Sequence, residues 1–158
     1  MRRTNRAILF SALSLIWGLF IFSQSIKTGA VSEQMSMGIV SWIAQFFHID
    51  AELLHVLVRK GAHFGEYLLL GVLLSLTMRE AGLLPRRFDL TVLFIGTIWA
   101  VLDEFLQTFI PDRSGQVSDV LLDAFGVFCG FLLVQLILCL RRRQKRRDRH
   151  AARNRLHA

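Results

Sequence analysis

The sequence is poor in cysteine: its 158 residues include two, Cys129 and Cys139. They lie in one apolar run, ten residues apart, which is ~15 Å along a helix at a rise of about 1.5 Å per residue. A disulfide needs Cα atoms closer than about 7 Å, so these two cysteines cannot bridge each other. The chain also lacks CxxC pairs, zinc-type Cys/His spacing and a glycine-rich phosphate loop, which excludes the common zinc-binding and nucleotide-binding motifs.

Charged residues are scarce as well, at 20%, whereas 53% of the residues are hydrophobic and the mean hydropathy is +0.46. This composition is too apolar for an ordinary soluble domain of this size and favours a membrane protein. Nine of the 19 Lys and Arg residues lie in the tail RRRQKRRDRHAARNR, directly after an apolar run. That position favours contact with anionic lipid head groups over binding of nucleic acid.

Four apolar stretches are long enough to span a bilayer. The first, residues 7–26, is longer than the core of a signal peptide, so we expect it to be retained as a helix. Gly82 and Pro85, and later Pro111, interrupt the apolar sequence between the other three. The predicted spans are residues 7–26, 61–78, 88–110 and 117–140.

The distribution of Lys and Arg predicts the orientation of these spans. The N-terminus carries three such residues, the 79–87 loop carries three, and the tail carries nine, whereas the 111–116 loop carries only Arg113. We therefore expect both termini to lie in the cytoplasm, and the 27–60 and 111–116 loops to lie outside. A membrane domain, residues 1–140, would precede a basic cytoplasmic tail, residues 141–158.

The 27–60 loop contains the apolar, aromatic stretch MGIVSWIAQFFHI, which is too short to span. Polar residues recur at four- and three-residue steps from Ser41 to Arg59, which predicts one polar stripe along a helix. Asp50 is a candidate N-cap that would divide this stripe between two helices. The predicted fold is therefore all-α, a polytopic protein with four transmembrane helices plus an outer interfacial helical segment. The alternative for this segment is packing against the rest of the protein.

Three of the predicted spans carry acids at a similar depth. In the predicted orientation, Glu66, Asp103 and Asp123 lie about 8–10 Å below the outer end of their helices. Asp119 and Asp123 are four residues apart, and Gly126 and Gly130 continue the same face, which predicts that this face packs inward. An acid inside a membrane is costly and is therefore a functional candidate.

Four sequence blocks carry a resemblance. FSQS, RKGAHFGEYLLLG, DEFLQTFIPDRSGQVSD and DAFGVFCG together resemble the VanZ-like family of small bacterial membrane proteins, over residues 10–140. The resemblance implies a multi-pass protein of the bacterial cytoplasmic (inner) membrane. It also implies a link to the cell envelope and to antibiotic resistance, because the founding member is associated with low-level resistance to the glycopeptide teicoplanin.

We expect one polar cavity, open to the outer surface, to hold these acids together with flanking bases. Six carboxylates, among them Asp112, face three bases, so some acids would lack a partner unless they are protonated or bind a cation. The alternative is that the acids are structural partners of the bases. The predicted catalytic residues are His63, Glu66, Asp103, Glu104, Gln107, Asp119 and Asp123, and the predicted substrate-binding residues are Arg59, Lys60, Tyr67 and Arg113.

Three functions compete for this cavity. In an enzyme, His63 would act as general base or acid, Glu66, Asp103 and Glu104 would bind a divalent cation or transfer protons, and the bases would hold a lipid-linked envelope substrate. A binding or shielding module would hold a lipid head group or an antibiotic without chemistry. A transporter is less favoured, because a relay across the membrane needs acids at the midplane and beyond.

Overall fold

The chain folds into five helices, as seen in a computed structural model that describes residues 3–27, 29–47, 50–82, 90–111, 113 and 115–156. Of the five helices in these residues, four are long and apolar enough to cross a membrane, and α2 is the exception. This confirms the predicted all-α class and the four spans. The helices are α1 (Arg3–Ser25), α2 (Gly29–Phe47), α3 (Ala51–Ala81), α4 (Leu90–Gln107) and α5 (Val117–Leu156).

Helix α3 is longer than the predicted span at 61–78, because it begins ten residues earlier, at Ala51. The Asp50 side chain caps it by accepting a hydrogen bond of 2.8 Å from the Glu52 amide. The predicted polar stripe is therefore divided between α2 and the first turns of α3. The helix ends where Gly82 adopts a left-handed conformation, with φ of 79°, and its amide bonds back to the Arg79 carbonyl.

Helix α4 ends at Gln107, three residues earlier than predicted. Pro111 explains this end, because a proline ring clashes with the carbonyl four residues before it, here that of Gln107. After Gln107 the backbone forms a turn with hydrogen bonds between residues three apart, such as that from the Thr108 amide to the Phe105 carbonyl at 3.2 Å. This turn leads to α5, which continues beyond the predicted span to Leu156. The tail remains helical because Arg, Lys, Gln and Ala all favour helix.

One face of α4 shows how the bundle is built. Its buried residues are small near the start and polar near the end, at steps of four and three: Val92, Gly96, Ala100, Asp103, Glu104 and Gln107. Phe94, Ile98 and Phe105 point to the exposed side. A helix with apolar side chains outside and carboxylates inside reverses the soluble pattern, as expected where the surroundings are lipid.

Helix α3 lies at the centre, since it contacts α1, α2, α4 and α5. The core around it is formed by Ile21, Tyr67, Leu70, Leu74, Val92, Ala100, Val127 and Phe131. At one end of the bundle, Arg3 donates to the Arg79 carbonyl at 2.9 Å and Arg6 pairs with Glu80 at 3.3 Å. The start of α1 and the end of α3 therefore lie on the same side.

Glycines allow the backbones of α3 and α5 to touch. A Cβ atom at Gly126 would meet the Phe64 carbonyl, and one at Gly130 would meet the Leu68 carbonyl. A Cβ atom on the α3 side, at Gly71, would meet the Val127 carbonyl. Close backbone approach at small residues is a common mode of helix packing in membranes.

This contact predicts that Gly130→Ala destabilises the protein, because the added methyl group meets backbone atoms that cannot rotate away. Overpacking of this kind costs about 1–3 kcal/mol. Thermal unfolding of the purified protein in detergent measures the effect as a lower Tm. Gly65→Ala on α3 is the control, since nothing lies within 4 Å of a Cβ atom there, and its Tm should stay the same or rise. Equal Tm values for the two variants would contradict the prediction.

Candidate functional site

Four ionisable side chains from three helices meet inside the bundle. His63 comes from α3, Asp103 and Glu104 from α4, and Asp123 from α5. Each contributes one nitrogen or oxygen atom, and these four atoms all lie within 4.8 Å of one another. The three acids are buried, and Asp103 and Asp123 have no exposed surface. We call these four residues the acid cluster.

Hydrogen bonds from outside the acid cluster orient two of its carboxylates. The Gln116 amide donates to Glu104 Oε2 at 2.8 Å, and Gln107 Nε2 donates to Asp103 Oδ2 at 3.4 Å. In both acids the second oxygen has no hydrogen-bond partner among the described residues. Each carboxylate is therefore held at one oxygen and left open at the other.

Asp123 is the least satisfied member of the acid cluster. Neither of its oxygens has a hydrogen-bond partner among the residues that the structure describes. His63 Nδ1 lies 3.8 Å from Asp123 Oδ2, which is within ion-pair range but too long for a hydrogen bond. Buried polar atoms are normally paired, so unpaired atoms concentrated at one place indicate a site for a ligand.

A second group of charges lies beside the first turn of α5, where α3 passes it. Lys60 Nζ contacts Asp119 Oδ1 at 2.5 Å, and Arg59 Nη2 lies 3.8 Å from Asp119 Oδ2. Both bases are partly exposed, whereas the Asp119 side chain is buried. Arg113, in the turn before α5, is within electrostatic range of Arg59. We call Arg59, Lys60, Arg113 and Asp119 the rim.

The rim has more positive than negative charge. Among the described residues, no carboxylate lies within ion-pair distance of Arg113; its neighbour Asp112 lies outside those residues. Burial lowers the pKa of the Arg113 guanidinium, and the nearby charge of Arg59 lowers it further. An anion placed here would stabilise both arginines.

Two further predicted residues border the acid cluster without belonging to it. Glu66 is half-buried and within electrostatic range of His63, Asp103 and Asp123. Tyr67 is fully buried, and its hydroxyl has no hydrogen-bond partner among the described residues. The structure thus brings four of the predicted site residues together: His63, Asp103, Glu104 and Asp123. Gln107 donates a hydrogen bond to Asp103, whereas Asp119 belongs to the rim.

Sequence reasoning did not identify two contributors to this region. Ser25, buried at the end of α1, interacts with the carboxylate of Asp103. Gln116 acts through its backbone amide, which no side-chain pattern reveals. The FSQS block contained Ser25, and its polar ending to an apolar helix was the available signal.

The arrangement can perform two kinds of chemistry. An imidazole and three carboxylates at this spacing can bind a cation, or they can transfer protons. The rim next to them can hold a phosphate or carboxylate group through charge-assisted hydrogen bonds. The fold and this site together define a polytopic helical membrane protein with a polar centre inside its helix bundle.

The comparisons with known proteins assign this membrane protein to a family. The VanZ-LLP1 family model, described as VanZ/LLP1, matches residues 9–138, so the chain belongs to the VanZ/LLP1 family. The resemblance drawn from the sequence blocks is thereby confirmed. No curated protein and no solved structure matches the chain.

The site predicts opposite stability effects for two acids on α5. Asp123→Asn removes a buried charge that lacks hydrogen-bond donors, so the Tm in chelator-containing buffer should stay the same or rise. Asp119→Asn leaves Lys60 and Arg59 without their counter-charge and should lower the Tm. The free energy of unfolding should fall by about 1 kcal/mol or less, because the bases are partly exposed. Thermal unfolding in detergent compares the two variants. A larger drop for Asp123→Asn would mean that Asp123 is a structural partner of a charged His63.

Proposed function

We propose that the protein is an enzyme of the bacterial cytoplasmic membrane that acts, at the outer leaflet, on a lipid-linked cell-envelope substrate with an anionic head group. The observation that carries this proposal is the position of a positively charged rim beside a buried cluster of acids. Arg113 in the rim is within electrostatic range of Asp103 and Glu104 in the acid cluster. One substrate could therefore contact both groups.

The orientation comes from the Lys and Arg asymmetry together with the packing. The contacts of Arg3 and Arg6 with residues 79 and 80 place the N-terminus beside the end of α3, opposite the rim. The basic tail extends from the end of α5 that is also opposite the rim. Because positively charged segments stay in the cytoplasm, the rim would face the outside.

The rim suits an anionic head group. Arg59 and Lys60 share one described acid, Asp119, and Arg113 has no described acid within ion-pair distance, so the rim has surplus positive charge. Arginine and lysine bind phosphate and carboxylate oxygens through charge-assisted hydrogen bonds. A lipid whose tail lies in the bilayer could present its head group at this depth.

The acid cluster favours an enzyme over a binding module. A module that only holds an anionic head group gains nothing from three carboxylates beneath the rim, because they repel the ligand. Buried acids are also costly in a membrane. Their retention is explained if they transfer protons or bind a cation during a reaction.

Two surfaces are proposed to contact the membrane itself. Trp42 and Phe46 of α2 are exposed and stacked with centroids 6.3 Å apart, as expected of a helix that lies at the outer interface. The exposed bases from Arg141 to Arg149 on α5 would bind anionic lipids on the cytoplasmic side. By resemblance to the family's founding member, the reaction would bear on glycopeptide susceptibility.

The proposed orientation predicts the location of three reporter fusions. A fusion at residue 84 and one at the C-terminus should report the cytoplasm, because each follows a cluster of Lys and Arg. A fusion at residue 113 should report the outside. Paired phosphatase and fluorescent-protein reporters measure these locations in intact cells. A cytoplasmic signal at residue 113 would place the rim on the wrong face for this function.

The proposed reaction predicts separate losses of binding and turnover. Purified protein is incubated with total bacterial polar lipids, and mass spectrometry compares the retained and released lipids. Wild type should retain an anionic lipid and change its head group. Arg113→Gln should weaken retention about tenfold or more, since a charge-assisted hydrogen bond contributes about 1.5–3 kcal/mol. Asp103→Asn and Glu66→Gln should retain the lipid but yield no product.

Arg79→Gln, at the opposite end of α3, is the matched control and should behave as wild type. In a susceptible host, the same Asp103 and Glu66 variants should lose any protection against teicoplanin that wild type confers, at equal expression. Retention without product in wild type would instead identify a binding or shielding module.

A further inference from the structure

We propose that His63, Asp103, Glu104 and Asp123 bind one divalent transition-metal cation, of the class of Zn²⁺ or Mn²⁺. The one atom that each residue contributes lies within 4.8 Å of the other three. Four ligands placed tetrahedrally at metal–ligand distances of about 2.0–2.2 Å lie about 3.3–3.6 Å from one another. Movements of each side chain by up to about 0.9 Å would therefore bring the four atoms to bonding distance of one cation.

The unpartnered atoms of the acid cluster are a second, independent sign of a ligand. The four carboxylate oxygens without a hydrogen-bond partner in the described part of the chain are Asp103 Oδ1, Glu104 Oε1, and Asp123 Oδ1 and Oδ2. His63 Nδ1 also lacks one. A proton would satisfy one oxygen, whereas one cation can contact all three acids and the imidazole at the same time.

The surroundings of the acid cluster resemble the outer shell of a metal site. Ligating side chains are usually held by hydrogen bonds from a second layer of groups. Gln116 and Gln107 supply such bonds to Glu104 and Asp103, and each bond leaves one carboxylate oxygen free. Ser25 adds a contact to Asp103 from α1.

The donor set decides the class of cation. Ca²⁺ and Mg²⁺ prefer shells made of oxygen alone, whereas imidazole suits Zn²⁺ and other transition metals. One imidazole with three carboxylates therefore favours a borderline divalent cation. This set differs from the sequence-based expectation of Glu66, Asp103 and Glu104, because Glu66 lies outside the acid cluster and His63 and Asp123 lie inside it.

A cation here would lie beside the rim and could polarise an oxygen of the head group that the rim holds. With His63 as a ligand, Glu66 remains as the group that transfers protons. This role in a reaction rests on the proposed function, whereas binding of the cation does not.

The test uses the full chain, purified in detergent and treated with a chelator. Zn²⁺, Mn²⁺ and Mg²⁺ are added separately, bound metal is measured by equilibrium dialysis with elemental analysis, and Tm is recorded. Wild type should bind one equivalent of Zn²⁺ or Mn²⁺, with a higher Tm, and should bind Mg²⁺ more weakly. Asp123→Asn and His63→Gln should each reduce the affinity at least tenfold, as loss of a ligand implies.

Two matched controls separate this site from adventitious binding at the surface. Asp148→Asn changes an exposed acid on the same helix as Asp123, and His55→Gln changes a second histidine on the same helix as His63. Both should bind like wild type. Size-exclusion profiles and the Tm in chelator-containing buffer show which variants are folded. If Asp123→Asn or His63→Gln does not fold, Asp103→Asn is measured in its place.

Two results would overturn the metal site: no bound Zn²⁺ or Mn²⁺ in wild type, or binding that survives in Asp123→Asn and His63→Gln. The proposed function fails separately. Lipid turnover by metal-free protein would show that the reaction does not use the metal, and the proposed enzyme would stand. If the metal-loaded protein binds one equivalent of metal but does not change the lipid, the metal site would be confirmed and the proposed enzyme activity contradicted.

Discussion

The close backbone contact between α3 and α5 is the constraint on which the site depends. Gly126 and Gly130 allow it, because a side chain at either position would meet the α3 backbone. The same approach brings His63 to 3.8 Å from Asp123 Oδ2 and Lys60 to Asp119. Larger residues at these glycines would separate the two helices, and with them the histidine from its acid.

The bundle holds its charges in two different ways. In the rim, Asp119 is paired with Lys60 and Arg59, so its burial is compensated. In the acid cluster, four carboxylate oxygens have no hydrogen-bond partner among the described residues. Buried charge without partners costs stability. The acid cluster lies inside the bundle, where such acids are costly, and the proposed function gives a reason for retaining them.

Much of the fold follows from local rules. Apolar runs of sufficient length predicted the four spans, Asp50 was recognisable as the cap of α3, and Gly82 and Pro111 lie close to helix ends. Spacing also predicted that Asp119 and Asp123 share a face with Gly126 and Gly130. The exact starts and ends differed, because the helix of α3 continues through Gly61 and Gly65 and that of α5 continues through the basic tail.

The sequence by itself determined which residues are polar within apolar helices and which face they share, since these depend only on residue type and helical period. Only the tertiary structure decided that His63 and Asp123 join Asp103 and Glu104, while Glu66 stays at the border. It also decided that Asp119 pairs with Lys60. The physical reason is that contacts between helices depend on how closely two helices approach and on how each is rotated about its axis. Both are set by packing between side chains that are distant in sequence.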